Sequence, residues 1–270
     1  YLFSLNEESF DFVYYIAGVD IHHEDLKDNV IEGSRDYSWS VSRNDWYTGS
    51  QMNPAPSYYD GSNHGTAVAG LIAASNNGKG IVGIAPKAGI AGFKYIGFGY
   101  TTSEQRVDQA SGDFDIFNYS YGGMPCSFHL SYDQDLINQL AYGVKNQRDG
   151  KGSLYVKASG NEYKGTLKDC YSDAYYSSIH DEPYYGNSAM EEDQNYPYYI
   201  LVGALDENGK RGEYSTPGPN LWISAPGGSG QKNGQKFFWS DHGCISRVPI
   251  GLSQTRKCSK YPFPCTFRPF

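Results

Sequence analysis

The chain has 270 residues and a formal net charge of −8 at neutral pH, with 39% hydrophobic and 19% charged residues. A chain of this length can bury the core of one large α/β domain, so length alone does not require two domains. The acidic balance argues against a nucleic acid as partner, and no apolar run is long enough to span a membrane. We therefore expect a globular protein with a neutral or cationic partner.

Apolar runs and helical periodicity alternate along the chain. They predict strands at 12–17, 89–96, 114–118, 154–158 and 199–203, and helices at 64–74, 103–110 and 133–147. A long polar loop is expected between residues 20 and 63. Strands that alternate with helices predict an α/β fold with a mostly parallel sheet and helices on both faces. Ligand sites in such sheets lie at the carboxyl ends of the strands.

The composition changes after about residue 234. The last segment has little periodicity and holds three of the five cysteines and four prolines: Cys244, Cys258, Cys265, Pro249, Pro262, Pro264 and Pro269. We predict a domain at 1–234 and an irregular tail at 235–270. A frameshift, an unspliced intron, a fragment end or an ordinary tail would each produce this change. The cysteines fit either disulfides of an exported protein or buried thiols.

Four short motifs combine chemistry-bearing residues with turn residues. The string at 64–70 places His64 at the start of a helix of small residues, and a Ser-Tyr-Gly-Gly segment at 120–123 follows a predicted strand. An Ala-Ser-Gly-Asn segment at 158–161 and a Trp-containing strand and turn at 221–227 follow in that order. In type and order, these motifs resemble those of the subtilisin-like serine proteases.

This resemblance implies the fold and the catalytic roles. The expected fold is a three-layer αβα sandwich, and the expected activity is that of a serine endopeptidase acting on a peptide or protein. His64 would be the general base, and Asn161 would donate its side-chain N–H to the tetrahedral oxyanion. Ser120, Tyr121 and Gly122 would pair with the substrate backbone as an added strand. The alternative readings are a helix-starting histidine of the core and ordinary turns after strands.

A cysteine-flanked segment at 170–175 resembles one from the kexin and furin branch of that family. The resemblance gives Asp173 the role of pairing with a substrate Lys or Arg. Pro125 and Lys168 stand where kexin-like enzymes tend to have acids, so an exposed loop aspartate remains the alternative.

The glycine-rich stretch at 75–86 resembles the calcium loop of many of these proteases. The implied calcium ligands are the carboxylate of Asp25, the side chain of Asn77, and the carbonyls of three loop residues. Those three residues are Ser75, Lys79 and Ile81. Calcium takes six to eight hard oxygen ligands, which suits such a set. A metal-free glycine-rich turn is the alternative.

Two elements of the family pattern are missing. Ile16 stands where the catalytic aspartate is expected, with Asp20 in the loop four residues later as a poor substitute, and residues 1–17 fit the family badly. The serine motif Gly-Thr-Ser-x-Ala occurs nowhere in the chain, and Ser246 and Ser253 lack its helix-start context. We therefore expect the fold to be truncated before the catalytic-serine helix.

The missing residues also bear on activity and context. We expect the chain as given to be inactive, with a noncatalytic pseudoprotease, a peptide-binding remnant or a nonfunctional truncated product as alternatives. A metal hydrolase built on His22 and His23 is disfavoured, because adjacent side chains point in different directions. The resemblance further implies a secreted or periplasmic monomer whose signal peptide lies outside this chain.

Overall fold

The structure is a computed structural model. It describes residues 11–16, 18–37, 39–40, 45–46, 54, 56, 63–95, 102–123, 132–166 and 183–228, together with two short strands further along the chain. The statements below concern these residues.

The described strands are β1 (Asp11–Ile16), β2 (Arg35–Asp36), β3 (Trp39–Ser40), β4 (Asp45–Trp46), β5 (Gly89–Lys94), β6 (Ile116–Tyr119), β7 (Leu154–Ala158), β8 (Lys164–Thr166), β9 (Pro183–Tyr185), β10 (Tyr199–Leu205), β11 (Ile223–Pro226), β12 (Arg256–Lys257) and β13 (Pro264–Cys265). Seven of them form one sheet in the order β11-β10-β7-β6-β1-β5-β2, and all of its pairings are parallel. The remaining strands form the antiparallel pairs β3–β4, β8–β9 and β12–β13. The predicted parallel α/β sheet is confirmed.

Three helices cover the sheet. They are α1 (His64–Ala73), α2 (Ser103–Asp108) and α3 (Gln134–Asn146), and two short 3₁₀ helices follow at Ser188–Met190 and Glu192–Asn195. α2 starts with a capping box between Thr102 and Gln105, and α3 starts where the Asp133 side chain accepts the N–H of Leu136 at 3.1 Å. Both caps satisfy backbone donors that have no partner inside the helix. Each of the three helices lies where the sequence predicts it.

One face of the sheet is densely packed with aromatic rings. β6 and β7 place Phe117, Tyr119 and Tyr155 there, under Leu136 and Leu140 of α3. The Phe117 and Tyr155 rings stack with centroids 4.8 Å apart. The amphipathic pattern of α3 therefore corresponds to real burial against this face.

The opposite face is packed by α1, which lies over β1 and β5. Val68 and Ala69 of α1 meet Ile90 of β5 and Val19 of the loop after β1. β5 is buried along its whole length, as expected for a central strand covered on both faces. Helices on both faces confirm the layered α/β architecture.

The sequence does not predict the short strands β2, β3 and β4. The sequence predicts a loop over residues 20–63, yet β2 joins the edge of the main sheet beside β5, and β3 pairs with β4. A strand of two residues is too short to show an alternation of apolar and polar residues, so only its pairing with another strand identifies it. No helix in the described part of the chain combines the length and apolarity needed to cross a membrane.

Candidate functional site

Three segments of the chain meet at one edge of the sheet. β1, β6 and β7 are adjacent and parallel, so the residues after them lie side by side at the carboxyl edge. α1 begins at the same edge, because a Cβ on Gly65 would lie only 2.2 Å from the carbonyl oxygen of Gly18. This close approach brings His64 to the edge that also carries the segments 120–123 and 158–162.

His64 is the first residue of α1 and is half-buried. Burial lowers the pKa of its imidazole below the usual 6.5, because the charged form loses hydration. The imidazole is therefore neutral at neutral pH, which is the form that a general base needs. The catalytic role of His64 stays a prediction, and its environment is compatible with that role.

The position expected to hold the orienting aspartate lies beside α1. Ile16 is the last residue of β1 and so occupies the carboxyl edge. Asp20 lies in the loop that follows, where its backbone N–H donates to Thr66 Oγ1 at 2.9 Å. Its Oδ1 accepts the backbone N–H of His22 at 3.0 Å. Because this carboxylate is used within its own loop, these contacts give no support to Asp20 as a substitute.

The segment 120–123 follows β6 directly. Ser120 and Tyr121 are half-buried, and the Tyr121 hydroxyl donates to Gln109 Oε1 at 2.6 Å. Gly122 is exposed, and no described residue hydrogen-bonds to its backbone. The backbone of Gly122 is therefore accessible for the predicted pairing with a substrate strand.

Two buried charged side chains bind the backbone of this segment by hydrogen bonds. The Lys157 ammonium donates to the carbonyl of Tyr121 at 2.9 Å and lies 4.6 Å from the centroid of its ring. The Glu191 carboxylate accepts the N–H of Gly123 at 2.7 Å and an N–H of Gln194 at 2.5 Å. The exposed fraction is 1% for Lys157 and 6% for Glu191. Sequence reasoning missed both residues.

Burial raises the pKa of Glu191 to about 7, and the nearby Lys157 ammonium limits that rise. Asp193 and Glu162 contribute negative charge that raises the pKa further. Glu191 therefore titrates near neutrality, next to the edge at which a peptide would bind. The sequence did hold one signal for this pair. Lys157 is two residues after Tyr155 in β7, so its side chain lies on the same buried face of the sheet, and a buried charge requires a partner.

The predicted oxyanion donor lies after β7. Asn161 is exposed, and its backbone N–H donates to Glu162 Oε2 at 2.6 Å. Thr216 supports the turn from behind, because its N–H donates to Gly160 O at 3.2 Å and its Oγ1 accepts the Glu162 N–H at 2.9 Å. Burial raises the pKa of Glu162. The turn is thus fixed by hydrogen bonds while Asn161 faces solvent, as an oxyanion donor would.

The proposed calcium carboxylate is buried and incompletely paired. Asp25 is 1% exposed, and its Oδ2 accepts the Ile81 N–H at 3.2 Å. Its Oδ1 has no hydrogen-bond partner among the described residues. A Cβ on Gly80 would lie 2.1 Å from this carboxylate, so glycine is required for the loop to wrap around it. Burial raises the pKa of Asp25, which indicates a charge without adequate compensation.

The other predicted calcium ligands share one turn. The Asn77 N–H donates to the Ser75 carbonyl at 2.9 Å, and Asn77 Oδ1 accepts the Lys79 N–H at 3.0 Å. The described ranges contain no group of three His, Cys, Asp or Glu side chains that could hold a metal. A site here would rest on one carboxylate, one amide and backbone carbonyls, a hard-oxygen set that fits calcium.

The predicted site residue Asp173 and four other residues discussed from the sequence lie outside the described ranges. They are Asp173, Pro125, Lys168, Ser246 and Ser253. The basic-specificity prediction for Asp173 and the boundary at residue 234 therefore stay predictions.

Comparisons with known proteins identify the family of this chain. The chain matches the sequence profile of the subtilase family, peptidase S8, over residues 17–259. It is 35% identical to kexin of Saccharomyces cerevisiae over 205 residues, which are 73% of this chain and 21% of kexin. It is 31% identical to the Aeromonas extracellular serine protease of Aeromonas sobria, over 78% of this chain and 33% of that protein. Subtilisin E of Bacillus subtilis is 30% identical, over 78% of this chain and 45% of subtilisin E.

A solved structure gives the same result. The serine protease of Aeromonas sobria superimposes with a TM-score of 0.64 at 27% identity, covering 82% of this chain and 36% of that one. The parallel α/β sheet, with His64, the segment 120–123 and Asn161 at its carboxyl edge, is compatible with the subtilisin-like class. The chain belongs to the subtilase family. It spans less than half the length of each of these relatives.

Proposed function

We propose that this chain carries the peptide-binding and histidine-bearing part of a secreted subtilisin-like serine endopeptidase. His64 is the general base, Asn161 stabilises the oxyanion, and residues 120–122 pair with the substrate backbone. The observation that carries the proposal is that these three groups lie at one carboxyl edge of the sheet.

The proposal extends to specificity and to a metal. A substrate with Lys or Arg before the cleaved bond would be favoured by the acidic side chain of Glu162, whose charge also acts on Glu191 beneath the pairing segment. Asp173, through the kexin-like motif around it, would add a further carboxylate. Calcium held by Asp25 and the loop 75–81 would stabilise the fold that positions α1.

Catalysis by the 270 residues alone is not expected. The nucleophile motif is absent from the sequence, and Ile16 cannot accept the histidine N–H or stabilise an imidazolium. Loss of the nucleophile or the orienting group removes most triad catalysis but leaves substrate binding and the oxyanion donor. The chain is therefore proposed to bind peptides without cleaving them, which is also what the pseudoprotease alternative requires.

The test measures peptide binding and turnover on the same protein. A dye-labelled tetrapeptide with a carboxyl-terminal Arg is titrated by fluorescence anisotropy, and the same peptide ending in Glu is the control. We expect the Arg peptide to bind at least about tenfold more tightly, as one well-placed ion pair permits. Gly122→Val should weaken binding, because even a Cβ there would lie 2.7 Å from Glu191 Oε1.

Turnover tests whether this chain cleaves peptides or only binds them. A fluorogenic substrate with Arg before the scissile amide is incubated with the chain and with His64→Ala. We expect equal background rates for both proteins. Hydrolysis that His64→Ala abolishes would contradict the proposed inactivity and would place a nucleophile within this chain. Absence of binding to either peptide would contradict the peptide-binding function itself.

A further inference from the structure

The segment 120–123 has two edges, and the buried charges occupy only one of them. In an extended chain, residues two apart present their N–H and C=O groups to the same edge. The Tyr121 carbonyl and the Gly123 N–H are such a pair, and Lys157 and Glu191 bind them. Between these two contacts, no described residue hydrogen-bonds to the N–H or C=O of Gly122, so those groups are the ones left for a peptide.

We propose that Glu191 is a positioning residue for peptide binding, whose carboxylate, together with the Lys157 ammonium, fixes the edge on which a peptide pairs. The inference rests on the proposed function, since it explains how the pairing edge is held. Glu191 does not contact the peptide in this arrangement and acts through the Gly123 N–H. It comes from the turn between two 3₁₀ helices, far along the chain from β6.

The contacts around Glu191 are those of a positioning group. Both carboxylate oxygens accept an N–H, from Gly123 and from Gln194. A Cβ on Gly122 would lie 2.7 Å and 3.0 Å from the two Glu191 oxygens, so the carboxylate is directly under the pairing residue. Hydrogen bonds to an ionised acceptor are about twice as strong as neutral ones. A displaced carboxylate would therefore loosen Gly122 itself.

The surroundings make this support sensitive to pH. The ionisable groups facing Glu191 are Lys157 of β7, Glu162 of the turn after β7, and Asp193 beside it. The pKa of Glu191 is raised to about 7, so the ionised carboxylate, the stronger acceptor, becomes the main form as the pH rises through that value. Gln194 Oε1 is buried without a partner among the described residues. A protonated Glu191 can donate to that oxygen once the amide rotates, which gives the neutral form a stable alternative.

The experiment compares three variants across pH. Affinity for the Arg-ending tetrapeptide is measured between pH 5 and 9 for the unaltered chain, Glu191→Gln, Glu191→Leu and the exposed control Glu207→Gln. Glu191→Gln keeps an acceptor for the Gly123 N–H, whereas Glu191→Leu removes it. We expect Glu191→Leu to weaken binding by about tenfold and Glu191→Gln by about threefold or less at pH 8.

The pH profile distinguishes positioning from simple packing. Affinity of the unaltered chain and of Glu207→Gln should rise as pH increases through about 7, and this rise should be absent in Glu191→Gln. His64 is present in all of these proteins, so its titration cancels in the comparison. Equal pH profiles for the unaltered chain and Glu191→Gln, or unchanged affinity in Glu191→Leu, would overturn the inference.

Hydrogen exchange distinguishes failure of this inference from failure of the proposed function, because it needs no bound peptide. Exchange of the Gly123 amide is followed in the unaltered chain and in Glu191→Gln at pH 6 and pH 8, corrected for intrinsic rates. We expect protection to increase with pH only in the unaltered chain. If no peptide binds but this pattern is found, the proposed function fails and the structural role of Glu191 stands. If protection is the same in both proteins, the inference fails.

Discussion

The altered pKa values of three ionisable side chains, the half-buried His64 and the buried Asp25 and Glu191, share one cause. Burial lowers the pKa of His64 and raises the pKa of Asp25 and Glu191. The neutral form of each is thereby favoured. The neutral form suits His64 as a base. The two carboxylates differ, because Glu191 has Lys157 nearby while one oxygen of Asp25 has no partner among the described residues.

A bound calcium ion would supply the compensation that Asp25 lacks. Calcium at about a hundred times its dissociation constant should raise the free energy of unfolding by about 2.7 kcal/mol. For a domain of this size that corresponds to a Tm increase of roughly 5 °C or more, measured by thermal unfolding in CaCl₂ against EDTA. Magnesium should have a much smaller effect, because it keeps its waters and requires octahedral geometry.

Asp25→Asn is the matched variant for this test. The variant removes the buried charge but keeps an acceptor for the Ile81 N–H. We expect it to lose the calcium-dependent increase in Tm and to be at least as stable as the unaltered chain in EDTA. A calcium response of the same size in Asp25→Asn would show that the ion binds elsewhere.

At the scale of single elements, α1 is positioned by close backbone contact. Gly65 is a poor helix former, and replacing glycine by alanine inside a helix ordinarily stabilises it by up to about 1 kcal/mol. The carbonyl of Gly18 would lie 2.2 Å from the added Cβ, well inside van der Waals contact. Overpacking of this kind costs about 1–3 kcal/mol, so the steric cost exceeds the gain in propensity.

Gly65→Ala should therefore destabilise the fold by about 2 kcal/mol, measured as a lower midpoint of urea unfolding with an unchanged slope. Because His64 is the adjacent residue, the titration of its imidazole by NMR should change as well. Asn138→Ala, at an exposed position of α3, is the control and should be neutral or slightly stabilising. A stabilised Gly65→Ala protein would mean that α1 is not held against the loop after β1.

The elements that were predicted correctly and those that were missed differ in how local their determinants are. The periodicity of α3 and the apolar run of β10 are local, and both elements lie within two residues of the predicted bounds. His64, Asn161 and the segment 120–123 were found from short motifs. Lys157 and Glu191 were missed, because their significance depends on a fold that brings together residues 34 positions apart.

At the scale of the whole molecule, the two faces of the sheet are unequally covered. α1 covers β1 and β5, whereas the same face of β7, β10 and β11 has no helix over it among the described residues. Leu154 of β7 is 47% exposed and Ile223 of β11 is 58% exposed, although both belong to parallel strands. Parallel sheets are normally covered on both faces, so this apolar surface is unusual for a soluble domain.

The exposed face should dominate the solution behaviour of the chain. We expect the dye ANS to bind and the chain to self-associate at micromolar concentration, and the double variant Leu154→Thr/Ile223→Thr to reduce both. Threonine keeps the strand preference of both positions, so unfolding should not explain the effect. Tyr142→Gln, on the exposed side of α3 in the opposite layer, is the control. Equal ANS fluorescence and sedimentation for the double variant and the unaltered chain would show that this face is covered in solution.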